Sequence, residues 1–171
     1  DHREGHEEDA KVDEDILEDR QRKLVGQRFR VHPGRGGPRD LAAIRDGSVV
    51  VYPTASSYAL GCLIGDKEAM ERIRRIRDVD VKHHNFTLVC RDLSEIAKYA
   101  RVDNSQYRTL KAFTPGPYTF LLEATREVPK RLQNPKRRTI GIRVPDNAIV
   151  SMLLAELGEP IMSSTLLLPG E

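Results

Sequence analysis

Short strand-like segments alternate with helix-like segments along most of this chain, and this alternation restricts the folds that it can adopt. Residues 48–52 are a β-branched run that ends at Pro53, and we interpret the run as a buried central strand. Residues 67–77 have apolar side chains at helical spacing, with Asp66 placed to cap the helix. The alternation predicts an α/β domain in which helices pack on a mixed sheet.

The same patterns predict further elements along the chain. The predicted strands are 27–32, 86–90, 118–123, 139–144 and 161–168, and the predicted helices are 13–25, 40–45, 92–99, 104–113 and 147–157. Gly158 follows the last helix at the position where a C-cap glycine is expected. The order of the strands in the sheet does not follow from these patterns.

Charge is distributed unevenly along the chain. Residues 1–19 contain ten acidic and two basic residues, so chain totals of 26 and 28 leave 16 acidic and 26 basic residues, or +10, for the rest. We assign 1–26 to an acidic, partly disordered or helical N-terminal segment and 27–171 to the folded domain. A basic body favours an anionic partner, a nucleotide or RNA, although a solvated basic surface explains the same charge.

Several other classes of protein are disfavoured by the sequence. No apolar run approaches the length of a membrane span and no apolar signal core is present, so we expect a cytoplasmic protein without a membrane partner. Cys62 and Cys90 lie in apolar surroundings and are expected to be buried thiols. The Cys and His residues lack the spacing of a zinc site, so we predict no structural metal.

Hydroxyl side chains cluster after the predicted strand 48–52 and within the predicted strand 161–168. They are Thr54, Ser56 and Tyr58, and then Ser163, Ser164 and Thr165. Because ligands of α/β sheets bind at the carboxyl ends of strands, the first group predicts contacts to a small polar substrate. The alternative is a turn whose hydroxyls bond to their own backbone.

Two further features are suited to ligand binding. Residues 114–119, with the sequence TPGPYT, predict a stiff turn whose glycine allows a ligand close to the backbone. Arg143 alternates with Ile142 and Val144, so its charge points away from their side of the strand and requires a partner or a ligand.

Basic side chains occur in two groups. One group is on the predicted helix 67–77 and the other follows Pro135; their members are Arg72, Arg75 and Arg77, and Lys136, Arg137 and Arg138. Guanidinium groups bind phosphate in a bidentate manner, which favours Arg77 at the helix end, whereas a solvated helix face is the alternative for the others. These cations could bind RNA phosphates, but aromatic stacking partners are absent from both groups, which argues against base recognition.

Taken together and in order, six segments resemble the YrdC family, specifically its YciO-like branch. They are YPTASSYALGC, DKEAMERIRRIR, HNFTLVCRDLSE, TPGPYTFLL, RRTIGIRVPDN and GEPIMSSTLLLPGE. The resemblance runs from about Phe29 to Glu171 and implies a YrdC-like twisted open mixed sheet, with helices packed around it and a concave basic groove. It also implies that the C-terminal part of the family domain is absent from this chain.

Characterised members of that family are threonylcarbamoyl-AMP synthases, which combine L-threonine, bicarbonate and ATP, with Mg²⁺, for tRNA threonylcarbamoyladenosine modification. The resemblance implies substrate binding by Thr54, Ser56, Tyr58, Thr87, Arg143 and Thr165. It implies nucleotide binding by Arg77, Pro115, Thr119, Ser163 and Ser164. We assign RNA binding to Arg72, Arg75, Lys136, Arg137 and Arg138.

Departures from the family pattern separate the functional hypotheses. Val79 stands where the enzymes carry a second cation, and Leu167 stands where they carry an amide. Because adenylate chemistry depends on preplaced cations and donors, we expect a YciO-type protein that binds a nucleotide or RNA and has weak or altered synthase chemistry. The alternatives are an active threonylcarbamoyl-AMP synthase, which is a nucleotidyltransferase, and a non-catalytic double-stranded RNA-binding module.

Overall fold

The computed structural model describes residues 38–54, 58–77 and 86–166. These residues all belong to one compact unit, Val31–Glu171. The predicted strand 27–32, the predicted helix 13–25 and the acidic segment 1–26 lie outside the described residues, so the proposed division of the chain stays a prediction.

Seven strands of the described residues form one open mixed sheet. They are β1 (Val50–Pro53), β2 (Tyr58–Leu63), β3 (Thr87–Val89), β4 (Ala100–Arg101), β5 (Phe120–Ala124), β6 (Thr139–Arg143) and β7 (Ile161–Thr165). Their order is β1-β2-β7-β3-β6-β5-β4. β3 and β6 are parallel, and the other neighbouring pairs are antiparallel. The predicted α/β class with a mixed sheet is therefore confirmed.

Five helices accompany this sheet in the described residues. They are α1 (Pro38–Arg45), α2 (Lys67–Arg77), α3 (Leu93–Tyr99), α4 (Asn104–Phe113) and α5 (Ala148–Leu157), with a short 3₁₀ turn at Lys130–Leu132. The caps explain why the sequence located these helices well. Asp103 and Gln106 form a capping box before α4, and Gly158 ends α5 with a φ of 71°. None of the helices in these ranges is long and apolar enough to cross a membrane.

Within the described residues, the strand predicted at 48–52 does not lie at the centre of the sheet. β1 lies at one end of the seven-strand order, where it pairs with β2. Its side chains are buried because helices cover them: Val50 and Tyr52 belong to the same core cluster as Ile44 of α1 and Val150 of α5. A β-branched run indicates burial, and among the described residues this burial comes from α1, from α5 and from one neighbouring strand, β2.

The sequence analysis also missed a strand. No strand was predicted between Pro53 and the helix at 67–77, whereas β2 (Tyr58–Leu63) pairs with β1 on one side and with β7 on the other. β2 was not predicted because Ala59 and Gly61 are small residues, whereas β-branched side chains are the usual signal of a strand.

The two faces of the sheet differ sharply in composition. Residues paired across a sheet point to the same face, and successive residues of a strand point to opposite faces. One row is Cys62, Met162, Leu88 and Ile142, all fully buried, and we call its side the closed face. The adjacent row is Gly61, Ser163, Thr87 and Gly141, and we call its side the groove face.

Helices cover only part of the groove face within the described residues. α1 and α5 pack on a portion that extends from β1 to β3, where Ala59, Val89 and Ile161 join the core cluster. Beyond this packed portion the row of small and hydroxyl-bearing residues begins. Both predicted buried thiols, Cys62 and Cys90, are confirmed as free and buried.

Candidate ligand-binding cleft

A cleft with a volume of about 260 Å³ lies where the groove face meets the start of α5. It is lined by Tyr52, Thr54, Val89, Gly116, Pro117, Arg143, Pro145, Asp146 and Asn147. These residues come from β1, β3, the 114–119 turn, the end of β6 and the segment before α5. Four separate parts of the chain therefore converge on one site.

Tyr52 forms part of the buried wall of this cleft. Its hydroxyl is hydrogen-bonded to the Ser163 hydroxyl of β7. Its ring crosses β2 at Gly61, where a Cβ atom would lie 2.9 Å from Tyr52 Cε1 and 2.7 Å from Ile161 Cγ2. Burial raises the pKa of Tyr52 to about 12, although the Ser163 hydrogen bond and the Arg143 charge act in the opposite direction. The phenol is therefore neutral at physiological pH and acts as a hydrogen-bonding group.

Arg143 supplies positive charge to the cleft. It is half-buried, while Ile142 and Val144 are buried, which confirms the prediction that Arg143 points away from their side. Its Nη2 atom donates to the Pro117 carbonyl oxygen at 3.5 Å. The Gly116 amide also donates to the Val144 carbonyl oxygen at 2.9 Å, so the turn is fastened to the end of β6. The Thr114–Pro115 peptide bond in this turn is cis.

The start of α5 adds polar groups to the cleft. Asn147 Oδ1 accepts hydrogen bonds from the Ile149 and Val150 amides at 3.0 and 3.1 Å and so caps the helix. Asp146, next to it, exposes its carboxylate at the cleft. Within the described residues, no group of three His, Cys, Asp or Glu residues is arranged to hold a metal ion.

Hydroxyl groups continue along the groove face beyond the cleft. Ser163 and Thr87 are directly paired on neighbouring strands. Thr165 lies two residues after Ser163 on the same face, and its carbonyl oxygen accepts a hydrogen bond from Arg77 Nη1. Burial lowers the pKa of the Arg77 guanidinium from its usual value. This arrangement places a cation from the end of α2 at the end of β7.

Comparison with known proteins identifies the family. The family model named Sua5_yciO_yrdC, with the description telomere recombination, matches residues 42–171. The chain belongs to the Sua5/YciO/YrdC family. Escherichia coli YciO is 53% identical over 150 residues, which is 85% of this chain and 72% of that protein. A threonylcarbamoyl-AMP synthase of Laribacter hongkongensis is 33% identical over 138 residues, covering 80% of this chain and 73% of the synthase.

Solved structures of Sua5/YciO/YrdC proteins have the same fold. The crystal structure of E. coli YciO has a TM-score of 0.73 at 56% identity, covering 78% of this chain and 64% of that one. The present chain thus spans a little under two thirds of that structure. The structure of Pyrococcus abyssi Sua5 complexed with L-threonine has a TM-score of 0.67 at 24% identity, covering 74% and 37% of the two chains, and shows similarity of fold.

The residues implied by the Sua5/YciO/YrdC resemblance are brought together in part. Thr54 and Arg143 line the cleft, and the groove face carries Thr87, Ser163 and Thr165. Thr119 approaches the same face beside Gly141, and Arg77 contacts Thr165.

Other implied residues lie elsewhere or cannot be placed. Strand alternation directs Ser164 to the closed face, and Tyr58 is largely exposed at the start of β2. Pro115 is exposed in the turn. Ser56 and the two positions that depart from the family enzymes, Val79 and Leu167, lie outside the described residues.

The residues assigned to RNA binding lie on two separate elements. Lys136, Arg137 and Arg138 are exposed on a turn in which Asn134 Oδ1 accepts from the Lys136 and Arg137 amides at 3.0 Å each. Arg72 and Arg75 lie on α2, where Arg72 is 4.0 Å from Glu68. A basic, concave groove that includes both groups stays a prediction.

Sequence reasoning missed several residues that shape this family member's cleft. Tyr52 could have been recognised, because in an extended strand it shares a face with Thr54 two residues later. Asp146 and Asn147 precede the predicted helix core and were not predicted to line a binding site. No aromatic cluster was predicted, whereas in the structure the Tyr118 ring lies between those of Phe113 and Phe120, with centroid distances of 5.3 and 6.4 Å.

Proposed function

We propose that this protein binds a nucleotide in the cleft of the groove face, as a YciO-type protein with weak or altered threonylcarbamoyl-AMP synthase chemistry. The placement of Arg143 carries the proposal. Its guanidinium lies at the cleft, where Nη2 makes one long hydrogen bond to the Pro117 carbonyl oxygen. A guanidinium has five N–H donors, so most of them are available to a phosphate group.

The family relationship supports the same reading of the cleft. The synthase relative is 33% identical to this chain over most of its length, and a Sua5 structure of the same fold holds L-threonine. We therefore propose L-threonine and bicarbonate as the co-substrates, with Thr54 contacting the amino acid. Mg²⁺ would enter with the nucleotide and contact the Asp146 carboxylate, since this ion is bound by one or two carboxylates together with phosphates.

The weakened chemistry is a separate part of the proposal. Formation of the adenylate at the ATP α-phosphate releases pyrophosphate and develops negative charge, which preplaced cations and amide donors stabilise. Val79 and Leu167 can supply neither group. Nucleotide binding through Arg143 is therefore expected to persist while turnover is slow.

Calorimetric titration with AMP and with ATP, in the presence and absence of L-threonine, tests the binding proposal. Arg143→Gln should weaken nucleotide binding by about 10- to 100-fold, since a hydrogen bond to a charged group contributes about 1.5–3 kcal/mol. Arg101→Gln is the matched control, because Arg101 is an exposed β4 residue whose partner is Glu123 at 3.5 Å. The proposal fails if the wild-type protein binds neither nucleotide, or if both variants bind as the wild type does.

Pyrophosphate release from ATP in the presence of L-threonine and bicarbonate tests the chemistry. Slow release by a protein that binds ATP is the expected result. Rapid release would instead support the active synthase, with Arg77 supplying the cation that the family enzymes carry two residues before the Val79 position.

Double-stranded RNA binding is a second candidate, favoured by the three exposed consecutive cations of residues 136–138. Binding should fall steeply between 50 and 200 mM salt, by about 10-fold or more if several phosphates are contacted. Replacing all three residues with Gln should lower both the affinity and the salt dependence, whereas Lys130→Gln on the nearby 3₁₀ turn should have a smaller effect. Binding that is absent or independent of salt would reject this candidate.

A further inference from the structure

The turn that leads into β6 ends on an arginine with a left-handed backbone. Arg138 has a φ of 53°. Asn134 organises this turn: its Oδ1 atom accepts from the Lys136 and Arg137 amides at 3.0 Å each, and its carbonyl oxygen accepts from the Arg138 amide at 2.8 Å. A left-handed residue at the end of such a turn is usually glycine, because a Cβ atom is strained there. We call residues 134–138 the basic turn.

The Arg138 side chain does not repay this strain by contacts within the described residues. It is exposed and has no hydrogen bond or ion pair there. The side chains of Lys136 and Arg137 are also exposed and unpaired within those residues. An arginine is therefore kept at a position where glycine or asparagine would be less strained, and its guanidinium is available to an anion outside the fold.

The surroundings of the basic turn indicate the kind of anion. Residues 126–138 contain six basic residues and one acidic residue. The two large apolar side chains of this segment, Val128 and Leu132, are buried, and the segment contains no aromatic residue. A membrane or a protein partner would need apolar groups to bury, whereas a nucleic acid backbone binds through its phosphates alone. These observations favour a nucleic acid.

The basic turn is separate from the cleft. It lies immediately before β6 (Thr139–Arg143), whereas Arg143 at the cleft is the last residue of that strand. Five residues of extended chain separate Arg138 from Arg143, which corresponds to about 17 Å. A nucleic acid at the basic turn and a nucleotide in the cleft would therefore contact different residues.

We infer that Arg138 is the principal phosphate contact of an RNA duplex bound at the basic turn, and that the arginine is retained there despite its strained backbone. A duplex is chosen because cations without stacking groups contact backbone phosphates and not bases. This inference rests on the second candidate function, for which it names the decisive residue, and it does not depend on nucleotide binding in the cleft.

Fluorescence anisotropy of a labelled RNA duplex, at 50 and 200 mM salt, measures the binding. Arg138→Asn removes the guanidinium and suits a left-handed backbone, whereas Arg138→Lys retains both the charge and the strain. Arg108→Gln is the matched control, since Arg108 is an exposed α4 residue without an ion pair in the described part of the chain. Thermal denaturation of each variant measures stability independently, and calorimetry with AMP monitors the cleft.

The expected result is a separation of binding from stability. Arg138→Asn should weaken duplex binding by about 3- to 10-fold at 50 mM salt and lower the salt slope by about one. Its melting temperature should be unchanged or higher by about 2 °C, because strain is relieved. Arg138→Lys should retain most of the affinity, and Arg108→Gln should bind the duplex as the wild type does. AMP binding should be the same in all of these proteins.

The possible failures can be told apart. Duplex binding that survives Arg138→Asn but is lost when residues 136–138 are all replaced with Gln would overturn the role of Arg138 and uphold the RNA candidate. A wild type that binds no RNA duplex, or binds vesicles containing phosphatidylserine instead, would overturn both and leave nucleotide binding in the cleft untouched. A lower melting temperature of Arg138→Asn would overturn the claim that the arginine is strained.

Discussion

The two faces of the sheet are built from adjacent residues of the same strands, yet they have opposite character. On β3, Leu88 is fully buried on the closed face, whereas its neighbour Thr87 is half-buried on the groove face with its hydroxyl toward Gly141. The same one-residue step separates Met162 from Ser163 on β7. The closed face stabilises the fold through buried apolar side chains. The uncovered part of the groove face instead carries hydroxyls, glycines and the Arg143 guanidinium.

The groove face itself is divided. Near β1 it is covered by α1 and α5, whose residues Ile44 and Val150 pack with Tyr52. Tyr52 stands at the boundary, since it belongs to this core cluster and also lines the cleft. The cleft therefore begins where helix packing ends, and the packed part supplies the rigid wall for the open part.

The largest expected contrast is between the two neighbours on β3. Leu88→Ala should lower the free energy of unfolding by about 2–5 kcal/mol, because it creates a cavity in the closed face. Thr87→Ala should lower it by about 1 kcal/mol or less, as for a residue outside the core. Urea denaturation of both variants measures the difference, and similar losses would remove the distinction between the faces.

A smaller effect is expected where β2 passes under Tyr52. Gly61→Ala should destabilise the protein by about 1–3 kcal/mol, because the added methyl would lie 2.7 Å from Ile161 Cγ2 and 2.9 Å from Tyr52 Cε1. Gly65→Ala is the control, since a Cβ atom there has no heavy atom within 4 Å. Nucleotide titration of Gly61→Ala should also show weaker binding, whereas unchanged stability and unchanged binding would show that Tyr52 and Ile161 accommodate the added methyl.

The burial of Cys62 on the closed face predicts a pH dependence. Burial raises the pKa of Cys62 from its ordinary value of 9.0 to about 12, so the folded protein retains a proton that the unfolded chain releases above pH 9. The free energy of unfolding is therefore unaffected by this thiol below pH 9. Above pH 9 it decreases as the pH rises, by up to about 1.4 kcal/mol per pH unit. Urea denaturation of the wild type and of Cys62→Ala at pH 8, 9 and 10 measures this slope. The prediction is wrong if the variant loses stability as steeply as the wild type above pH 9.

The smallest expected effect concerns the helix start that borders the cleft. Asn147→Ala removes an oxygen that accepts from two α5 amides and should cost about 1 kcal/mol. Asn147→Asp retains a capping oxygen and should be nearly as stable as the wild type. Thermal denaturation compares the variants, and an unchanged melting temperature in Asn147→Ala would show that α5 does not depend on this cap.

Helix positions followed closely from the sequence, whereas strand positions and neighbours did not. The predicted ranges 67–77 and 104–113 coincide with α2 and α4, because apolar spacing and side-chain caps are local signals. β1 was assigned to the centre of the sheet and β2 was missed, because pairing depends on residues distant in sequence. The Arg143 orientation was correct since it depends on strand alternation alone, but its contact with Pro117 required the fold.

The sequence by itself determined the α/β class, the membership in a family and the chemical types available: hydroxyls, glycines and arginines in a fixed order. The tertiary structure decided which of them meet. The order β1-β2-β7-β3-β6-β5-β4 sets Ser163, Thr87 and Gly141 side by side, although they are far apart along the chain. Local sequence encodes the direction of each side chain within its strand, but neighbours across a sheet are fixed by the packing of the whole domain.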